Sequence, residues 1–140
     1  MAFVQATAIA IDRRAVLLVG PPRSGKSDLA LRMIARGATL IGDDAIDLSM
    51  ETSRLLVSPL PGRTRRLQVA HIGAVSVSLS GPAPAALVVN LDSALLALDR
   101  SACLDRFGPV EGYYLPQIAL PAFHGSTPDT LLLALERWGH

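Results

Sequence analysis

Residues 20–27 read Gly20-Pro21-Pro22-Arg23-Ser24-Gly25-Lys26-Ser27, and this stretch decides the fold. It matches the pattern G-x-x-x-x-G-K-[ST] at every fixed position, which is the pattern of a phosphate-binding loop. In such a loop, successive backbone N–H groups surround phosphate oxygens, and the helix that follows adds its positive end. We therefore expect Lys26 to place its ammonium on the β- and γ-phosphates of a nucleoside triphosphate, and the Ser27 hydroxyl to ligate Mg²⁺.

The segments on both sides of this loop have the patterns that it requires. Ala15–Val19 is a short apolar run that ends at a glycine, which predicts a buried strand. Ser27–Ala35 carries apolar residues at helical spacing, and Gly37 is placed to end that helix. From average residue usage, the pattern would occur by chance in roughly one chain of this length in 200. Its position between a strand and a helix favours a working phosphate site.

The rest of the chain predicts a mixed α/β fold in a single domain spanning residues 1–140. Strands are predicted at Ala38–Ile41, Leu55–Val57, Val75–Leu79, Leu87–Leu91 and Ile118–Leu120. Loops rich in proline or glycine are predicted at Ser58–Thr64, Gly81–Pro84 and Phe107–Gly112. A final helix is predicted with Thr127 as N-cap, Pro128 in its first turn and an apolar stripe of Leu131, Leu132, Leu135 and Trp138.

Composition excludes several classes of protein. Half of the 140 residues are apolar and the formal net charge is +1, so we expect neither a nucleic-acid nor a membrane partner. The single cysteine, Cys103, cannot pair within the chain, which fits a reducing compartment. The first residues have no basic segment of a signal peptide, and no run reaches the roughly 18 apolar residues of a spanning helix. These features predict a cytoplasmic protein.

Two adjacent carboxylates, Asp43 and Asp44, follow the predicted strand Ala38–Ile41. Like charges on neighbouring residues disfavour double ionisation unless a cation or hydrogen bonds compensate. A Mg²⁺ ion or a substrate hydroxyl would supply that compensation, whereas the alternative is an ordinary polar turn at the end of a strand. The nearby phosphate loop favours a functional pair.

Together, these features resemble the catalytic domain of HPr kinase/phosphorylase, in the short forms that lack the N-terminal domain. The resemblance lies in the loop Gly20–Ser27, a helix followed by Arg36-Gly37 and a strand followed by Asp43-Asp44. Asp44 falls 17 residues after Ser27, as in the family. The match is strong over residues 15–48 and extends with gaps to about residue 125.

The resemblance implies a concrete chemistry. The fold would resemble the phosphoenolpyruvate carboxykinase core, and the phosphate donor would be ATP or pyrophosphate with Mg²⁺. The acceptor would be a serine of an HPr-like phosphocarrier protein, and the reverse phosphorolysis is implied as well. Asp44 would be the catalytic base or acid, Lys26 would hold phosphate, and Ser27 with Asp43 would hold Mg²⁺. Full-length members form hexamers, so a homo-oligomer is also implied.

Several positions depart from the family. Gln68 stands where the family has a glutamate that helps to hold Mg²⁺, and Ala70 stands where it has an arginine. Gln5 replaces a histidine of the first strand, and Ser126 replaces an arginine near the end of the domain. Three functions therefore stay open: a kinase/phosphorylase of an HPr-like carrier, a nucleotide-binding regulatory module of the same descent with little turnover, and a P-loop kinase for a small molecule.

A local cluster of arginines is the remaining candidate feature, consisting of Arg54, Arg63, Arg65 and Arg66. It is either a solvated loop face or a source of positive charge for the transferring phosphate or an acidic partner. The three histidines show no ligand spacing, so we do not expect a zinc site.

Overall fold

The apolar runs of the sequence pair into one curled mixed sheet with helices against it. The computed structural model describes residues 2–62, 64–96, 105–110 and 113–140. Within these ranges the strands are β1 Ala2–Val4, β2 Thr7–Ile11, β3 Arg14–Val19, β4 Thr39–Gly42, β5 Ile46–Glu51, β6 Arg54–Pro59, β7 Leu67–Val69, β8 Gly73–Val75, β9 Ala83–Asn90, β10 Asp105–Val110 and β11 Tyr113–Ala119. The helices are α1 Lys26–Ile34, α2 Ser93–Leu96 and α3 Thr127–Trp138.

The main sheet has the strand order β1-β5-β6-β9-β3-β2-β4, with β11 also paired to β9 and β10 paired to β11. The pairs β3–β9 and β9–β11 are parallel, and the other pairs of this sheet are antiparallel. The strands β7 and β8 form a separate hairpin. This confirms the predicted α/β class with a mixed sheet.

The strands at the centre of the sheet are apolar without interruption because both of their faces are covered. In β3, Val16 and Leu18 belong to the core beneath α1 and α3, whereas Leu17 belongs to the core on the opposite face. The apolar side of α1, which includes Leu29 and Met33, is fully buried against the first of these cores. This packing holds the start of α1 in place beside the end of β3.

Helix α1 ends at a turn formed by Gly37, as the sequence predicts. The N–H of Ala38 donates to the carbonyl of Met33 at 3.1 Å, and the N–H of Gly37 donates to the carbonyl of Ile34 at 3.0 Å. These two bonds form a Schellman motif, which needs a left-handed residue, and Gly37 has φ 101°. The turn directs the chain straight into β4.

Other boundaries differ from the predictions. The predicted strand Val75–Leu79 is wrong beyond its first residue: Val75 is the last residue of β8, and Leu79 makes only an isolated bridge to Leu40. The predicted loops are shorter, because Ser58 and Pro59 complete β6 and Ala83 and Pro84 begin β9, where proline is tolerated at the start of a strand. Part of the predicted loop Phe107–Gly112 is in β10, while residues 111 and 112 lie outside the described residues, as does Cys103.

The C-terminal helix is confirmed, but its N-cap is Ser126 rather than Thr127. The Thr127 side chain is buried and donates its hydroxyl hydrogen bond to the carbonyl of Pro121 instead of capping the helix. Leu131 and Leu135 are buried, and Leu132 and Trp138 pack beside them as the apolar stripe predicts. Among the described helices, none is long and apolar enough to cross a membrane.

Candidate active site

The directions of three strands bring the phosphate loop and the aspartate pair to one edge of the sheet. Strand β2 is antiparallel to both β3 and β4, so β3 and β4 run in the same direction. Their carboxyl ends, followed by Gly20 and by Asp43, therefore lie at the same edge. As predicted, the aspartates follow a strand, β4, which pairs antiparallel with β2, and β2 separates it from β3. The start of β2 consequently lies between the two candidate motifs.

The carboxylate of Asp43 is the centre of the hydrogen bonding at this edge. The Ser27 hydroxyl donates to it, with oxygen distances of 2.9 Å to Oδ1 and 3.1 Å to Oδ2. The Thr7 hydroxyl donates to Oδ1 at 2.8 Å, and the backbone N–H of Gln68 donates to Oδ2 at 3.1 Å. Donors from β2, α1 and β7 thus fix the position of one carboxylate beside the phosphate loop.

The phosphate loop has the form that anion binding requires. Gly25 caps α1 with φ 102°, and a Cβ atom there would come within 2.7 Å of the Ala122 Cβ. The ammonium of Lys26 reaches back across the loop, donating to the carbonyls of Gly20 at 2.8 Å and Pro21 at 2.9 Å. The first amides of α1 have no acceptors within the helix, so they are free to meet an anion at its N-terminus.

A cleft of about 1150 Å³ opens beside this loop. Its walls include Lys26, Ser27, both aspartates of the pair and Arg65. The Asp44 side chain is exposed there and makes no hydrogen bond or ion pair with any residue that the structure describes. Its φ of 74° is uncommon for a residue other than glycine, and such conformations concentrate at functional sites. One carboxylate of the pair is therefore fixed, and the other has no partner in the part of the chain that the structure describes.

The structure brings most of the predicted site residues to this cleft. Pro22, Arg23 and Gly25 line it, whereas Gly20, Pro21 and Ser24 complete the loop without lining it. The side chains of Gln68, Ala70 and Arg66 also line it. Arg65 is half-buried in the same wall, and its guanidinium donates to the carbonyl of Ser80.

Other predicted residues lie elsewhere. Gln5 is exposed between β1 and β2, and neither it nor Ser126 lines the cleft. Arg54 begins β6 away from the cleft, and Arg63 lies outside the described residues. Sequence reasoning missed Thr7 and Phe123, because neither belongs to a motif. Only the position of Thr7 at the start of an apolar run pointed to a strand there.

The oxygen atoms at Asp43 suit a magnesium ion. Mg²⁺ prefers oxygen ligands and is usually held by one or two carboxylates together with substrate phosphates. The Ser27 hydroxyl and the Asp43 carboxylate lie together next to the loop that would hold those phosphates. Among the described residues, no group of three or more His, Cys, Asp or Glu side chains is placed to hold a metal ion.

Comparison with known proteins identifies the family. The model of the HPr Serine kinase C-terminal domain matches residues 2–122. The chain belongs to this family. The HPr kinase/phosphorylase of Lactobacillus acidophilus is 28% identical in an alignment 134 residues long, which covers 89% of this chain and 42% of that protein. That of an Exiguobacterium species is 32% identical in an alignment 101 residues long, which covers 66% of this chain and 31% of that protein.

A solved structure supports the same fold. The Hpr(Ser) kinase/phosphatase from Coxiella burnetii matches with a TM-score of 0.82, covering 98% of this chain and 89% of that chain. Its sequence is 24% identical, so this match concerns the fold. The chain spans less than half the length of the curated HPr kinase/phosphorylase relatives named above.

The two aspartates should differ sharply in their effect on stability. In Asp43→Asn an amide nitrogen replaces an oxygen that accepts hydrogen bonds, so we expect a loss of about 1–2 kcal/mol in the free energy of unfolding. Asp44→Asn is the matched control, because asparagine also tolerates the left-handed conformation and no partner is lost; its effect should stay within about 0.5 kcal/mol. Urea denaturation of the two variants measures both values. Equal effects would contradict the assignment of Asp43 as the fixed carboxylate.

Proposed function

We propose that the chain is a nucleotide-dependent kinase/phosphorylase that moves phosphate between ATP and a serine of an HPr-like phosphocarrier protein. The observation that carries this proposal is the exposed carboxylate of Asp44, which has no partner among the described residues and lies one residue away from the carboxylate that is bonded to the phosphate-loop Ser27. A base that no described residue engages, exposed in a cleft beside a phosphate site, is available to a substrate hydroxyl. The proposal places the protein in the cytoplasm, where ATP and the carrier meet.

The residues of the cleft would have separate roles in phosphoryl transfer. Lys26 and the first amides of α1 would bind the phosphates, and Ser27 with Asp43 would hold Mg²⁺, which when bound neutralises phosphate charge. Asp44 would accept the proton of the acceptor serine. The serine oxygen would then form a bond to the γ-phosphorus, while the bond from that phosphorus to ADP breaks. In phosphorolysis, an oxygen of inorganic phosphate would form a bond to the phosphorus of phosphoserine while the bond from that phosphorus to the serine oxygen breaks. Pyrophosphate would leave, and Asp44 would return the proton to the serine oxygen.

A second function, a nucleotide-binding regulatory module with little turnover, is favoured by the side chains at positions 68 and 70. Gln68 and Ala70 line the cleft and bring no charge to it. Phosphoryl transfer depends on positive charge around the transferring group, and the resemblance implies that the family supplies part of it through an arginine at position 70 and through Mg²⁺ held by a glutamate at position 68. Arg65 and Arg66 line the same cleft and could carry that charge instead. A small-molecule kinase is not supported by any feature of the cleft.

Nucleotide binding should depend on Lys26. Lys26→Ala should weaken ATP binding at least tenfold, or about 1.4 kcal/mol, because the ammonium at the β- and γ-phosphates is lost. Arg36→Ala is the matched control, since it removes one positive charge just beyond α1 from an exposed position outside the cleft lining.

Calorimetry measures both affinities. Lys26 is the only lysine in the sequence. If ATP protects this amine against an acylating reagent, the protection gives an independent measure of the contact between Lys26 and the phosphates. Unchanged ATP affinity in folded Lys26→Ala would exclude the phosphate-loop assignment.

Phosphotransfer should depend on Asp44 without a matching loss of nucleotide binding. Asp44→Asn should slow phosphorylation of the carrier by about 10²–10⁴-fold, because a general base acts on the acceptor proton rather than on the nucleotide. Asp12→Asn is the matched control, because Asp12 is also exposed with a positive φ, of 50°, but lies outside the cleft lining.

Carrier phosphorylation with labelled ATP gives the rate, and calorimetry gives the affinity. If Asp44→Asn lowers the affinity for ATP with Mg²⁺, and the rate of carrier phosphorylation falls only in proportion to that loss, Asp44 belongs to the metal site and is not the base.

Restoring charge at positions 68 and 70 separates the two proposed functions. If the cleft is a weakened active site, Gln68→Glu and Ala70→Arg, separately and together, should raise carrier phosphorylation, and a single arginine can matter by ~10³–10⁵-fold in phosphotransferases. If the arginines of the cleft have taken over, restoration should give no gain, and Arg65→Ala or Arg66→Ala should abolish activity. Binding of ATP without transfer by wild type and by every restored variant would support the regulatory module.

A further inference from the structure

Phe123 places a bare aromatic ring at the phosphate loop. Its side chain is 69% exposed, although phenylalanine gains free energy from burial. The ring lies directly against the start of α1, because a Cβ atom on Gly25 would stand 2.9 Å from its Cζ and 3.2 Å from its Cε1. The same side chain lines the cleft that holds Lys26 and Asp44. An apolar ring thus stands in water beside the site that would hold phosphates.

The backbone on both sides of this ring is fixed to α1. The guanidinium of Arg32 donates to the carbonyl of Ala122 and, at 2.9 Å, to the carbonyl of His124. Arg32 is itself held by Asp28, one turn earlier in the helix, with an Nε to Oδ2 distance of 3.1 Å. Two carbonyls that flank Phe123 are therefore anchored by one side chain of the helix whose N-terminus the ring touches. This anchoring holds the ring at the cleft instead of letting it turn into the core.

We propose that Phe123 is the platform on which the base of the nucleotide stacks, so that the site prefers a nucleoside triphosphate over an inorganic polyphosphate as its phosphate donor. This inference rests on the proposed binding of phosphates at Lys26. The proposal requires that a nucleotide held there direct its base towards the ring, which is exposed beside the loop at Gly25 and lines the same cleft. An inorganic polyphosphate has no planar group, so the ring adds nothing to its binding.

Stacking on a single phenyl ring also predicts that the site discriminates little between bases. Every base has a flat π face, so stacking of this kind tolerates different bases. No hydrogen-bonding group is needed for it. The site should consequently bind ATP and GTP with similar affinities while binding tripolyphosphate more weakly.

The test is calorimetry of ATP, GTP and tripolyphosphate binding, each in the presence of Mg²⁺. Phe123→Ala should weaken ATP and GTP binding by about 5- to 100-fold, the scale of base stacking on aromatic side chains, and change tripolyphosphate binding by less than about twofold. Phe123→Tyr should retain the wild-type affinities. Phe3→Ala is the matched control, because Phe3 is 59% exposed on β1 and does not line the cleft.

A fluorescence experiment reads the same contact directly. In Phe123→Trp, ATP should quench the introduced indole and tripolyphosphate should not, whereas wild type, which carries only Trp138, should show neither change. Quenching by both ligands, or by neither although ATP binds, would overturn the proposal.

The remaining outcomes distinguish this inference from the proposed function. If wild type binds neither ATP nor tripolyphosphate, the proposed function fails and the inference fails with it. If both ligands bind and Phe123→Ala weakens them equally, the ring only supports the phosphate loop and the inference alone fails. If Phe123→Ala leaves ATP affinity unchanged but raises the KM for the carrier, the ring contacts the protein substrate and the inference is again overturned.

Discussion

The carboxylate of Asp43 is the point where four separate parts of the chain meet. It accepts hydrogen bonds from Thr7 on β2, from Ser27 on α1 and from the backbone of Gln68 on β7, while its own backbone follows β4. Each of these donors is a polar group that needs an acceptor when it is removed from water, and Thr7 is fully buried. Together with the packing of α1 against the core, this one acceptor fixes the phosphate loop beside the cleft.

The strand directions explain why the two aspartates differ. Because β2 runs opposite to its neighbours, its first residues meet the last residues of β4, and Thr7 reaches Asp43. Asp44, one residue further along, has turned into the cleft with a left-handed backbone and finds no donor among the described residues. Adjacent side chains of the same type are therefore placed in different environments by the turn that joins β4 to β5. That difference makes separate roles for the two carboxylates physically reasonable.

Local patterns in the sequence were enough to predict the central part of the fold. Strand β3, helix α1 and strand β4 follow from apolar runs and from Gly37, because burial and capping act over a few residues. The partners of Asp43 could not be predicted in this way, since Thr7 and Gln68 reach it only after the sheet has formed. The isolated bridge at Leu79 could not be predicted from the sequence either, because a short apolar alternation does not determine where strand pairing stops.

The contacts of the loop that carries Phe123 could not be predicted from the local sequence either. Nothing in the residues around Phe123 indicates that Arg32, about 90 positions earlier, would hold the backbone on either side of the ring. The family resemblance expects an arginine at Ser126 in this region, but Ser126 is the N-cap residue of α3 and does not line the cleft. The aromatic ring at the phosphate loop is visible only in three dimensions.

The contacts of Asp43 also bear on how the chain folds. Its donors lie 16, 25 and 36 positions away in the sequence, so the chain must close several loops before the cleft exists. A partly folded chain that lacks β2 or β7 has no complete cleft to offer. A ligand of the cleft therefore acts on the native state alone, and at 100 times its Kd it would add about 2.7 kcal/mol to the free energy of unfolding.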